Sequence, residues 1–179
     1  MDSFVVGAES LLFEEISADN RRGTLLLQGM PDEVSAISCH PQGPLVAFGC
    51  LNGNLHIWDY EMKILVNLRE FNNKLDVAPK TANAHVSKTA KKIQDAKQAT
   101  AEYSAFVLQP KSLAFEPSQG EILVIGFTNG QIKCLNVETL EDLCSFVPSS
   151  DPILGIRFSA NGVFFAAFDS SRHVMLFQR

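Results

Sequence analysis

The chain has 179 residues, of which 46% are hydrophobic and 20% charged, and a net charge of −5. That length and apolar content suit a packed core and exclude a disordered chain, while the acidic balance argues against general nucleic-acid binding. No apolar run approaches the roughly 18 residues of a membrane span, and "MDSFVVGAESLLFEE" lacks the basic start of a signal peptide, so an intracellular, soluble protein is expected.

In chain order, "SFVV" and "SLLFEEI" read as partial strands, and "TLLLQG" (24–29) as the outer strand of a sheet that precedes the first repeat. Three segments then line up: "VSAISCHPQGPLVAFGCLNGNLHIWD", "PKSLAFEPSQGEILVIGFTNGQIKCLN" and "ILGIRFSANGVFFAAFDSSRHVMLFQ". Each opens with an apolar strand ending near Cys39, Phe115 or Phe158, and the last two positions lie 43 residues apart. A polar turn follows (Pro41–Gly43, Pro117–Gly120, Ala160–Gly162), then a strongly apolar second strand (Leu45–Cys50, Ile122–Phe127, Val163–Phe168). A central strand that is apolar on both faces is one covered by neighbouring sheets on both sides. Asn52-Gly53 and Asn129-Gly130 supply the positive φ angles of a tight turn into an alternating third strand (Leu55–Trp58, Ile132–Leu135, Val174–Phe177). "MKILVNL" and "LEDLCSF" read as outer fourth strands.

A four-stranded unit repeating at this period resembles the WD-repeat family of β-propellers. The resemblance covers about 130 positions, with Trp58-Asp59 as the literal Trp-Asp pair and Leu135-Asn136 and Phe177-Gln178 in its place elsewhere. It implies an all-β fold: a partial propeller of about three to four blades in an open ring, with one helical or disordered interblade insertion. Residues 1–30 are assigned to the end of a preceding blade, 31–71 and 110–149 to blades, 72–109 to the insertion and 150–179 to an incomplete blade. Propellers close with four to eight blades, so the chain is read as a fragment or short isoform of a longer protein, or as one that completes its ring with another chain. An open ring exposes sheet edges and apolar blade faces. In the family, a buried His, a turn Asp, a hydroxyl residue and the Trp are often joined by hydrogen bonds. Here Asn52, Asn129 and Ser171 stand at the turn position, so apolar packing is expected to dominate.

The insertion between Phe71 and Pro110 is Ala- and Lys-rich, with six lysines against three acidic residues. From Ser87 to Phe106 it has neither Gly nor Pro, and Val86, Ala90, Ile93, Thr100, Tyr103 and Val107 recur at helical spacing. Lys88, Lys91, Lys92 and Lys97 lie mainly off that stripe, so these lysines and Tyr103 are the candidate partner-binding residues. A short, weakly apolar stripe predicts a helix that orders on docking to an acidic protein surface.

Catalytic and metal signatures are missing from the sequence. His40, His56, His85 and His173 are not grouped at ligand spacing, and no nucleotide-binding, hydrolase or metalloprotease motif occurs. His56 and His173 are expected to be satisfied structural residues, and Asp32-Glu33 a solvated strand end. Cys39, Cys50, Cys134 and Cys144 lie in apolar runs without C-x-x-C spacing, which predicts four buried free thiols in a reducing compartment. No enzyme activity, cofactor, metal, membrane or small-molecule substrate is expected, and lysines without Arg or an aromatic ladder make a poor RNA platform.

Within the family, "FGCLNGNLHIWDYE", "ILGIRFSANGVFFAAFD" and the long interblade insertion are most similar to cilia- and flagella-associated members, including one in the calmodulin- and spoke-associated complex at the base of the third radial spoke. That resemblance implies a scaffold in the axoneme, with radial spoke subunits, the calmodulin-associated complex and tubulin as partners. The alternative is a WD-repeat adaptor of another cytoplasmic complex.

Overall fold

The computed structural model describes residues 32–72 and 107–179, together with the backbone of strands β1 (Ser3–Gly7), β2 (Leu12–Ser17) and β3 (Gly23–Gln28). Every regular element among them is a strand. β1–β3 form an antiparallel meander. The first blade follows as β4 (Val34–Cys39), β5 (Leu45–Cys50), β6 (Asn54–Asp59) and β7 (Ile64–Glu70). The second comprises β8 (Pro110–Phe115), β9 (Ile122–Phe127), β10 (Ile132–Asn136) and β11 (Asp142–Phe146). The third comprises β12 (Ile153–Phe158), β13 (Phe164–Asp169) and β14 (Val174–Gln178). Strands pair in sequence order in each sheet, and the first strands β4, β8 and β12 lie side by side. The sheets therefore radiate from a shared inner edge.

Apolar layers between the sheets hold this arrangement. Ala47, Leu55 and Ile57 of the first blade meet Leu113, Phe115, Leu123 and Ile125 of the second. The other face of the second blade, through Val124, Ile132 and Cys134, meets Ile153, Ile156, Phe165 and Ala167 of the third. β5 and β9 are buried on both faces, as their continuous apolar runs predict. β13 is not: Phe164 and Phe168 are partly exposed, and with Leu154, Val174 and Leu176 they form an open apolar face. Two of the four thiols, Cys39 and Cys144, are exposed, which corrects the expectation that all are buried.

The repeat is finer than the sequence pattern shows. Each blade carries a bulge in its first strand at the same register: Val34/Ala36 opposite Cys50/Gly49, Pro110/Ser112 opposite Phe127/Gly126, and Ile153/Gly155 opposite Asp169/Phe168. A bulge bends the strand and strengthens its twist, which suits a strand at the inner edge of a wedge. The residue opposite the bulge marks where the next blade approaches. A Cβ on Gly49 would overlap Pro110, and one on Gly126 would overlap Ile153. In the third blade that position is Phe168, whose ring lies over Gly155 of its own sheet.

Candidate functional site

The turns joining the second and third strands share one rim. In the first blade Gly53 N donates to Cys50 O (3.0 Å), in the second Gly130 N to Phe127 O (3.2 Å), and in the third Arg172 N to Asp169 O (3.3 Å). Gly53, Gly130 and Arg172 are left-handed, at φ 90°, 79° and 70°. Asn52 and Asn129 contribute differently from expectation. Neither adopts positive φ. Their side-chain Oδ1 atoms accept from Asn54 N (2.9 Å) and Gln131 N (3.0 Å), closing Asx turns. Asp59 Oδ1 accepts from Met62 N (2.8 Å), so this Asp shapes the turn after β6. Trp58 is half-buried beside Val46, Phe48 and Tyr60, with its Nε1 unpartnered.

Both ends of the insertion are fastened to this rim. Asn72 Nδ2 donates to Asn52 O (2.7 Å) and Leu108 N donates to Asn72 Oδ1 (2.8 Å), so one side chain ties the two ends to the first hairpin turn. On the other side Thr128 N donates to Gln109 O (3.0 Å), and Gln109 N to Thr128 Oγ1 (3.3 Å). The insertion thus springs from between the Asn52-Gly53 and Asn129-Gly130 turns. Lys88, Lys91, Lys92, Lys97 and Tyr103 lie outside the described residues.

Two groups of potential ligand side chains occupy this rim among the described residues: Asp151, Asp169 and His173 in the third blade, and Asp32, Cys50 and His56 in the first. By strand register Asp151 corresponds to Asp32 and Asp169 to Cys50. The third-blade group is closed by hydrogen bonds. Ser149 Oγ donates to Asp169 Oδ2 (2.7 Å), His173 Nδ1 lies 2.9 Å from the same oxygen, and Ser171 Oγ donates to Asp151 Oδ2 (2.8 Å). Burial opposes the charge on Asp169, but hydrogen bonds from Ser149 and His173, with the His173 charge, hold its carboxyl at about 2. The first-blade group is different. Burial, with the negative charge of Asp32, pushes the Cys50 thiol up to about 12. Burial also lowers His56, against the opposing pull of Asp32. His56 is buried with Nε2 unpartnered, so the expectation of a satisfied histidine holds for His173 and fails for His56. Asp32 is half-buried rather than a solvated strand end.

An apolar cleft of about 470 Å³ opens beside the packed layer of the second and third blades, lined by Val124, Cys134, Phe146, Phe165 and Phe177 among others. On the opposite rim His40, Glu116 and Ser159 stand at equivalent turns. His40 Nδ1 accepts from Gly43 N (2.8 Å), and Glu116 accepts from Ser118 N (2.9 Å), the Ser118 hydroxyl and Gln119 N (3.1 Å). These are turn caps. Arg69 and Lys133 converge on Asp142 at 2.6 and 2.7 Å, and the Arg69–Asp142 pair links the outer strands β7 and β11 of the first two blades.

No protein-family model matches the sequence. The chain is 25% identical over 177 residues to cilia- and flagella-associated protein 251 of Pongo abelii, an alignment covering 98% of this chain and 12% of that protein. It is 32% identical over 140 residues to the Mus musculus protein of that name, covering 78% of this chain and 8% of the relative. The Chlamydomonas reinhardtii protein of that name is 24% identical over 176 residues, covering 98% of this chain and 17% of its own length. The chain therefore spans about an eighth of the length of the first of these relatives. Among solved structures, a chain in the crystal structure of the mitotic checkpoint complex superposes with a TM-score of 0.65 at 14% identity, covering 94% of this chain and 41% of its own. That likeness concerns the fold: the described residues form a partial, open β-propeller, and the chain is similar in sequence to segments of cilia- and flagella-associated protein 251.

Proposed function

We propose that this chain is the scaffold portion of a ciliary or flagellar protein, a non-enzymatic part that holds other proteins in a large assembly. The similarity of 98% of the chain to cilia- and flagella-associated protein 251 carries this reading. The rim supports it: blades packed through apolar layers form a frame, and the frame pins both ends of a lysine-rich insertion between two hairpin turns. A surface of this kind suits a protein partner better than a small substrate. In the finer reading, Lys88, Lys91, Lys92, Lys97 and Tyr103 contact an acidic surface such as tubulin, and the blades attach radial spoke machinery, including the calmodulin-associated complex, to doublet microtubules. The test is to express the protein carrying this chain with a fluorescent tag in ciliated cells and extract them with detergent. Retention on the axoneme at the radial spoke base is expected. A diffuse cytosolic signal that washes out contradicts this reading and favours an adaptor of another complex.

A further inference from the structure

We propose that Asp32, Cys50 and His56 form a binding site for one Zn²⁺ ion. A carboxylate oxygen, a thiol sulfur and an imidazole nitrogen all lie within 4.8 Å of one another. Tetrahedral zinc with bonds of about 2.0–2.3 Å sets its ligand atoms roughly 3.3–3.8 Å apart. Side-chain adjustments of about 1 Å bring the group to that geometry. The donor set is one that zinc favours, mixing soft sulfur, imidazole and carboxylate.

The second observation is the orphaned histidine. His56 is 6% exposed and its Nε2 is buried without a hydrogen-bond partner. A buried polar atom left unpaired costs about 1–3 kcal/mol, so such atoms are rare without a reason. The third blade provides an internal control. There Asp151 and Asp169 stand at the positions of Asp32 and Cys50, and Ser149, Ser171 and His173 satisfy them by hydrogen bonds. In the first blade a thiol replaces the carboxylate and no comparable network closes around His56. Zn²⁺ bound by the Cys50 thiolate, the Asp32 carboxylate and neutral His56 leaves zero net charge, which a buried site tolerates. Cys50 is fully buried, which rules out reading the three as a nucleophile, base and orienting acid open to substrate. The ion would tie the segment before β4 to the end of β5 and to β6, just beneath the Asn52-Gly53 turn that holds Asn72.

The test uses the tag-free 179-residue chain, titrated with Zn²⁺ against a fluorescent zinc indicator and separately loaded with Co²⁺. One zinc per chain is expected, and the cobalt form should show tetrahedral visible bands with a thiolate charge-transfer band. Cys50→Ser and His56→Ala should weaken zinc by about a hundredfold or more, beyond the loss typical of an outer-shell change. Cys50→Ser should abolish the charge-transfer band, and Cys134→Ser with Cys144→Ser should leave it intact. Asp32→Asn is the variant least disruptive to folding. It should weaken zinc binding while its thermal midpoint in chelator stays that of the parent. Zinc left entirely on the indicator, binding unchanged in folded Asp32→Asn and Cys50→Ser, or a cobalt spectrum that depends on Cys134 and Cys144 would each overturn the proposal.

Discussion

Arg172 sits at φ 70°, where the first two blades use Gly53 and Gly130. Left-handed backbone crowds a Cβ, and arginine bears a cost there that glycine does not. Arg172→Gly should therefore raise stability by about 1 kcal/mol in urea unfolding, despite glycine's greater freedom in the unfolded chain. Glu116 has the opposite balance. Burial disfavours its charge, but donation from the Ser118 hydroxyl and the backbone N–H groups of Gln119, Ser118 and Gly120 holds the carboxyl at about 2. A carboxyl depressed in the folded state stabilises the fold above its unfolded value, near 4.3, and loses that contribution as pH falls toward 2. Asp169, also held at about 2, adds a second group over the same window. Thermal midpoints measured from pH 7 to pH 2 should fall mainly below about pH 4. Glu116→Gln should lower the midpoint at pH 7 and flatten the acid slope. An unchanged slope would show that these caps do not couple to folding.

At the scale of the element, close approach governs which residues the second strands carry. Gly49 and Gly126 lie where the next blade's first strand presses in, against Pro110 and Ile153. Gly126→Ala should cost about 1–3 kcal/mol, because the overlap falls on the buried Ile153 and not on a flexible surface chain. A denaturation midpoint equal to the parent's would mean that the blades are not packed as described. The strands were legible in the sequence, since two-fold alternation, apolar central runs and Asn-Gly turns are local signals. Leu45–Cys50 and Ile122–Phe127 match β5 and β9 to the residue. What was not legible depends on register. The bulges at Val34/Ala36, Pro110/Ser112 and Ile153/Gly155 leave no mark in hydropathy, yet they align the three blades. Asp32, Cys50 and His56 come together only because Val34 pairs with Cys50 and Phe48 with His56. Ligand-spacing motifs, which are local in sequence, miss such a group. The exposure of Cys144 follows from its place on the outer strand β11, which is exposed from Asp142 to Ser145 although its run looks apolar.

Across the whole molecule, the far face of the third blade differs from the layers between blades. Layers between neighbouring blades are closed by core residues such as Leu123, Ile125 and Ile156. The far face of the third blade leaves Val174 and Leu176 at 78% and 70% exposure. The two ends of the insertion are fixed away from that face, on the hairpin rim. The frame and the proposed docking element are therefore separable. Because Leu108 N donates to Asn72 Oδ1, a few residues can bridge the gap between them.

That separability makes one measurement decisive: residues 73–106 replaced by a short Gly-Ser linker in the tagged protein, with axonemal retention after detergent extraction scored beside the thermal midpoint of the isolated chain. The expected result is a midpoint within about 2 °C of the parent, a stability change under roughly 1 kcal/mol, and loss of retention. Retention at the parental level with the blades still folded would contradict it.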